Sequence, residues 1–350
     1  MKILYGINSN GLGHINRSSI FINELQNMGH EIHILFAGRP PPDFALKLAP
    51  NTMFREGPKD ICEKHKAKIF KSAIIFLFKI PKIAWTRREI VNIAKKENYD
   101  IYFTDMEQYA AFAAKKTKKP CFNINHHSSI FFPTAEQLPG NHLDKFLLRF
   151  LVNNMSHYFT RCYAIDYCDK IEKSGNLYRY PLINKPELEN YQITQDDHIV
   201  AYLANEDYKR IIKVFSKFTN ETFYVYGFDE DKKINNMIFK KTSRVEFLKD
   251  LTSAKAVIGN AGFSLTWEVC LINKLMWVIP YKRHYEQLVN AHRLTKLNIA
   301  YSSKEITTGD FENFSKWLEE KNYESSVKLP VIEAKIILDD IFSCLDDYKQ

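Results

Sequence analysis

Glycine is scarce, at 12 of 350 residues, so a glycine that falls in a loop marks a place where the backbone has a geometric demand. Long hydrophobic runs are missing. The longest, Ala73 to Phe78, lies between Lys71 and Lys79, far short of the roughly 18 residues that span a bilayer. The first residues, MKILYGINSNG, hold too short an apolar stretch for a signal peptide and read as a strand. No CxxC pair occurs among the six cysteines (Cys62, Cys121, Cys162, Cys168, Cys270, Cys344), which argues for reduced thiols and against a zinc site. Neither low-complexity segments nor short repeats are present. Hydrophobic residues make up 45% and charged residues 26%, the balance of a folded globular chain rather than a disordered one. The net charge of +8 admits an anionic partner without choosing one.

What is present is alternation. Residues 2–7 form an apolar strand, 8–13 a polar glycine-containing turn, 14–28 a helix by apolar spacing, and 31–37 the next strand. This βαβ opening predicts a parallel sheet in an α/β fold. Residues 178–195 are polar, carry two prolines and lack periodicity, after which the βα pattern restarts. The reading is therefore a first domain over 1–180, a linker over 181–195, a second domain over 196–328 and a closing helical segment over 329–350. Ligands of such sheets bind at the C-terminal ends of the strands, here expected in an interdomain cleft.

Two loops carry the chemistry. Gly6, Gly11, Gly13 and His14 form GxxxxGxGH, which is neither a phosphate-binding Walker loop nor the dinucleotide GxGxxG. A histidine at a helix start is favoured as the neutral imidazole that a general base requires, although a turn with a capping histidine has the same spacing. Further on, the strand ending at Gly259 is followed by Asn260, Ala261 and Gly262, then by a helix from about Ser264. Free N–H groups at such a helix start suit a diphosphate. Glu268 lies one turn on and is expected to accept from ribose hydroxyls. Glu286, Gln287 and Asn290 open the next helix and suit a polyhydroxylated ligand. An ordinary βαβ unit with polar caps is the simpler alternative.

Three segments taken together, YGINSNGLGHINR, YDIYFTDMEQYAAFAA with PCFNINHHS, and VIGNAGFSLTWE with YEQLVNA, resemble the nucleotide-sugar glycosyltransferases of the GT-B fold. The likeness is to the MurG-like and UDP-glycosyltransferase-like group, including poorly characterised bacterial and archaeal MurG-like proteins, and it covers most of the chain. It implies two Rossmann-like domains facing across a cleft. The first binds the acceptor and the second the nucleotide sugar, and the C-terminal helix crosses back to the first. It also implies metal-independent, inverting transfer with no cofactor beyond the nucleotide-sugar substrate, UDP-linked by family habit. By the resemblance His14 is the base and Asp105 its partner. Gly13, Asn260, Gly262, Phe263, Ser264, Glu268, Glu286, Gln287 and Asn290 fall to the donor, and Asn10, Gly11, His126 and His127 to the acceptor. The glycine-rich turn usual after the first strand of the donor domain reads YLANEDYKR, so Asn205 or Glu206 is expected to meet the donor there.

Residues 55–96 hold twelve Lys/Arg against four Asp/Glu. A basic, apolar helix with Trp and Phe suits the surface of an anionic membrane, or else a buried helix with a lysine-rich rim. The expected setting is cytoplasmic, with peripheral contact to the membrane and a glycan or lipid-linked acceptor. A non-catalytic nucleotide-sugar binder and a UDP-sugar 2-epimerase share the fold. The epimerase would need several carboxylates about the sugar ring, and that pattern is missing. No nucleic-acid recognition motif accompanies the basic stretch.

Overall fold

The computed structural model describes all residues except 58–61, 64–65, 68, 136–137, 139–140, 205, 242, 322–327 and 350, and only the backbone of 62–63, 66–67, 69–78 and 346–349. The chain divides into two compact units. The first comprises Met1–Ile61, Lys68–Asn184 and Pro330–Gln350, and the second Cys62–Ala67 and Lys185–Leu329.

The strands of the first unit are β1 (Lys2–Asn8), β2 (Glu31–Gly38), β3 (Asn51–Glu56), β6 (Ile101–Asp105), β7 (Cys121–Asn125), β8 (Arg161–Ile165), β9 (Glu172–Ser174) and β10 (Leu177–Tyr180). A small hairpin, β4 (Cys62–Glu63) with β5 (Lys66–Ala67), stands apart from this sheet. The sheet order is β3-β2-β1-β6-β7-β8-β10-β9, parallel except for the β10–β9 pair. Both faces of β1 are covered, which is why its sequence is a continuous apolar run rather than an alternation. The helices of the first unit are α1 (Leu12–Asn27), α2 (Asp43–Leu46), α3 (Ile69–Glu97), α4 (Gln108–Thr117) and α5 (His142–Met155), of which α1 and α4 lie against β1.

The described part of α3 has one buried and one exposed side. Ile83, Ile90, Val91 and Ala94 are buried against Leu4, Leu35 and the alanines of α4, so this end of the helix is core. Trp85 and Ile80 face outward, 63% and 47% exposed. The apolar run at 73–78 lies outside the residues whose side chains are described. Among the described residues no helix is long and apolar enough to cross a membrane.

Residues 181–195 are partly regular, with β11 (Leu182–Ile183) and a 3-10 turn over Pro186–Asn190. In the second unit, β12 (His198–Tyr202), β13 (Thr222–Tyr226), β14 (Lys232–Ile234), β15 (Met237–Phe239), β16 (Ala256–Gly259), β17 (Met276–Val278) and β18 (Ala300–Ser302) are ordered β14-β15-β13-β12-β16-β17-β18. Its helices are α6 (Tyr208–Phe215), α7 (Arg244–Ser253), α8 (Phe263–Leu271), α9 (Tyr285–Lys296) and α10 (Thr308–Glu320). An aromatic core of Phe215, Phe223, Trp277, Phe311 and Phe314 joins α6 and α10 to the sheet.

The chain's last elements belong to the first unit. Here β19 (Val331–Ile332) pairs in parallel with β11, and α11 (Ala334–Lys349) buries Ile337, Leu338 and Ile341. The Asp340 carboxylate accepts from Tyr163 Oη at 2.5 Å and Arg161 Nη1 at 3.0 Å.

Candidate active site

The first candidate site forms where the strand order of the first unit reverses. Chain connectivity runs from β1 to β2 on one side and reaches β6 on the other, so helices leave in opposite senses and open a crevice. Register sets Ile7 beside Asp105 at the C-terminal ends of β1 and β6. His14 stands in the first turn of α1 and Asp105 ends β6, and the His14 Nδ1–H donates to Asp105 Oδ1 at 2.8 Å. This bond fixes the tautomer and leaves Nε2 as the basic nitrogen.

Arg17, one turn beyond His14, grips the same carboxylate in a fork, Nε to Oδ2 at 2.8 Å and Nη2 to Oδ1 at 2.7 Å. Arg17 and Asp105 are both fully enclosed, and His14 keeps 17% of its side-chain surface open. Burial pushes the Asp105 carboxyl up, but the Arg17 guanidinium and His14 more than reverse this and hold it below the ordinary range. The aspartate is therefore an anion, able to stabilise an imidazolium. Sequence reading missed Arg17. Its signal was the three-residue spacing from His14, which puts both on one helix face.

After β6 the backbone takes a left-handed step at Met106, φ 50°, a conformation that costs energy for a non-glycine residue. Glu107 then caps α4, its two oxygens accepting from the N–H groups of Tyr109 (2.6 Å) and Ala110 (2.7 Å). A Cβ at Gly6 would meet the Glu107 carboxylate and come within 2.8 Å of Ala110 Cβ. Glycine at this position is required by packing, whereas Gly11 faces open space.

Of the expected acceptor residues, His127 reaches His14. The two rings stack, centroids 5.5 Å apart and 13° from parallel. His126 is buried and donates from Nδ1 to the Ile165 carbonyl at 2.8 Å, so its ring braces the end of β8. Asn10 sits over Gly38, its N–H donating to Asn8 Oδ1 at 3.0 Å. Gly13 lies in the first turn of α1 beside His14.

A second candidate site forms at the corresponding reversal in the second unit, between β12 and β16, where Tyr202 pairs with Gly259. Gly262 begins α8 with no side-chain cap, leaving the first turn with the donor character of an anion-binding helix start. Phe263 is buried and stacks on Trp267 at 5.6 Å, whereas Ser264 is half-buried. The polar residues around the loop serve its shape. Asn260 Nδ2 donates to the Ile279 carbonyl at 2.9 Å and to Glu206 Oε1 at 3.1 Å. Asn290 Nδ2 donates to the Ala261 carbonyl at 3.0 Å, and Gln287 Oε1 accepts the Tyr281 N–H at 2.9 Å. Glu286 is half-buried next to Gln287, and Asn205 lies outside the described residues.

Glu268, expected to accept from ribose hydroxyls, is held by two cations of its own unit. Its carboxylate is buried, and Oε1 accepts from Lys185 Nζ at 2.7 Å and Arg244 Nη2 at 2.8 Å. Burial raises its pKa, and the two cations outweigh this and hold it below the ordinary range. Lys185 also lies 4.1 Å from the Trp267 ring centroid, and Arg244 bridges on to Glu187. Lys185 is 83 residues away in sequence, so no local spacing signalled it.

Residues 1–319 match the family described as Glycosyl transferase family 1. The chain belongs to that family. The structure resembles the glycosyltransferase SnogD from Streptomyces nogalater (TM-score 0.59, 14% identity, covering 97% of this chain and 99% of that one). It also resembles CalG4, the calicheamicin glycosyltransferase (TM-score 0.60, 12% identity, 93% and 91% covered). A third similar structure is the spinosyn rhamnosyltransferase SpnG complexed with thymidine diphosphate (TM-score 0.57, 10% identity, 93% and 93% covered). Comparison with curated protein sequences returns no match. The α/β architecture of this family 1 glycosyltransferase is thus GT-B, two parallel-sheet domains.

Proposed function

We propose that this glycosyltransferase moves a sugar from a nucleoside diphosphate sugar to a hydroxyl acceptor with inversion, using His14 as the base. The observation that carries this reading is the 2.8 Å bond from His14 Nδ1 to the Arg17-clamped Asp105. It leaves Nε2 to take the acceptor hydroxyl's proton as the acceptor oxygen attacks the anomeric carbon. The bond from that carbon to the diphosphate breaks, and the electron pair leaves with the nucleotide. Asp105 stabilises the imidazolium that forms, as carboxylates do in other His–Asp pairs. The uncapped start of α8 stabilises charge on the departing diphosphate, a role open to backbone N–H groups without a metal. The thymidine diphosphate complex of SpnG and a plant relative complexed with UDP-2fluoro-glucose support a pyrimidine nucleotide donor. We favour UDP, and a hexose or N-acetylhexosamine.

For the acceptor we favour a cell-envelope or lipid-linked glycan of the MurG-like kind. The outward-facing Trp85 and the lysines of α3 support peripheral contact with an anionic membrane through residues 55–96.

The test has two arms. Thermal unfolding is measured with UDP, TDP, GDP and CDP, where a ligand at a hundredfold excess over its dissociation constant adds about 2.7 kcal/mol of stability. Product formation from the selected nucleotide sugar is then followed by mass spectrometry. His14→Ala should lower turnover ~10²–10⁴-fold while leaving nucleotide binding intact. Full activity in that variant refutes His14 as base. Nucleotide binding without any turnover in the unaltered protein would favour the non-catalytic binder.

A further inference from the structure

A pocket of about 320 Å³ opens in the first unit among α3, α4 and the end of α5, lined by Arg87, Phe112, Lys115, Lys116, Asn154 and His157. It shares no residue with the site at His14. Helix α4 starts beside Asp105, and Lys115 lies seven residues after its first residue, ~10 Å along the axis. The pocket wall has three permanent cations, one histidine and no carboxylate. Among the described residues Arg87, Lys115 and Lys116 form no ion pair, unlike Lys79 and Lys82 on the same α3, which share Glu56.

The helix dipole explains two lysines in the last turn of α4. It does not explain why an arginine from α3 and a histidine beyond α5 converge on them. Arg87 lies over the Phe112 ring at 5.1 Å and Lys116 approaches the same ring at 5.5 Å. Arg87 Nη2 donates to Gln108 Oε1 at 2.6 Å, but its Nε is buried without a partner. His157 donates from Nδ1 to the Asn154 carbonyl at 3.2 Å, and its buried Nε2 is likewise unpartnered. Buried polar atoms of this kind are uncommon: the Arg87 Nε–H is a donor without an acceptor, and His157 Nε2, an acceptor while Nδ1 carries the hydrogen, becomes a second donor once the ring is protonated.

We propose that this pocket is a second ligand site, taking a phosphate group whose oxygens accept from the Arg87, Lys115 and Lys116 side chains. Several converging cations suit a multiply charged oxyanion better than a single carboxylate, and arginine matches phosphate geometry. The apolar ring of Phe112 and the Asn154 amide leave a place for an organic remainder. Burial, with Arg87 and Lys115 nearby, holds His157 below its ordinary pKa. The groups facing it are Arg87 from α3, Lys115 and Lys116 from α4, and Asn154 from α5. A bound anion offsets the cations, so the His157 ring takes up a proton at Nε2. Binding therefore tightens as pH falls.

The experiment is NMR of the full chain labelled at histidine, with the His157 signal assigned by His157→Gln. Sodium pyrophosphate and glycerol 1-phosphate are the probes. Reading His157 itself separates this pocket from a diphosphate site at α8. The expected result is a saturable shift of His157 toward its protonated form, with affinity reduced at least tenfold in Lys115→Glu/Lys116→Glu. Lys209→Glu/Lys213→Glu, exposed on α6 and equal in charge change, should bind as the unaltered protein does. An unmoved His157, or equal weakening by both double variants, overturns the proposal. Vesicles of phosphatidylcholine with phosphatidylglycerol identify the source. Pelleting lost in Lys115→Glu/Lys116→Glu assigns a lipid headgroup, and a glycerol phosphate response without pelleting assigns a soluble phosphomonoester.

Discussion

His14, Arg17 and Asp105 show how one carboxylate can serve two partners. Arg17 occupies both oxygens of Asp105, so the anion stays fixed and ionised while His14 uses the remaining acceptor capacity of Oδ1. Two residues further on, Glu107 meets the opposite fate. It is buried with no cation bonded to it, and burial pushes it up to about 7 despite two backbone N–H donors. A carboxyl raised in the folded state binds more protons than in the unfolded chain. Its contribution is complete below about pH 4.5 and is lost as pH rises through 7. Unfolding by urea at pH 5 and pH 7.5 should therefore show a loss of stability, on the order of 2 kcal/mol from this group, that is absent in Glu107→Gln. Identical pH slopes in the two proteins would mean that Glu107 is ionised throughout.

Helix α8 matters by both ends of its first two turns. Its uncapped start faces the loop 260–262, and Glu268 anchors it to Lys185 and Arg244. Removing one partner of a buried pair leaves an uncompensated charge and costs about 3–5 kcal/mol. Glu268→Ala should destabilise the second unit by that amount in urea unfolding, and Lys185→Met added to it should restore part of the loss. A residue that acts only on ribose would instead weaken nucleotide binding and leave the midpoint unchanged. The loop has its own brace, Asn290 on the Ala261 carbonyl, which links α9 to the start of α8.

At the scale of the molecule, the first unit is closed by residues from the far end of the chain. The strand β19 extends β11, and α11 places Ile337, Leu338 and Ile341 in a buried seat with Asp340 tied to Tyr163 and Arg161. Ile341→Ala should cost ~2–5 kcal/mol in the unfolding of this unit, as for other large-to-small core changes. A 1–329 fragment should melt earlier, and a peptide of residues 330–350 added in trans should recover stability. A fragment as stable as the full chain would show that this helix contributes no packing energy.

Much of this was written locally. The βα alternation, the loop after β1 with its histidine, the small-residue loop before α8 and the EQ-x-x-NA start of α9 follow from short-range spacing, because periodicity and helix starts depend on neighbouring residues. The pairings that give those residues their state were decided by tertiary structure. Arg17 meets Asp105 across 88 residues, Lys185 meets Glu268 across 83, and Arg161 meets Asp340 across 179. Such contacts are set by which strands lie side by side and which helices cover them. The same holds for Gln287 and Asn290, legible as polar residues near a donor but turned inward onto backbone groups that only the folded loop presents. The chain's chemistry was therefore visible in residue types, and its electrostatics only in the fold, since charges are stabilised by whatever burial brings beside them.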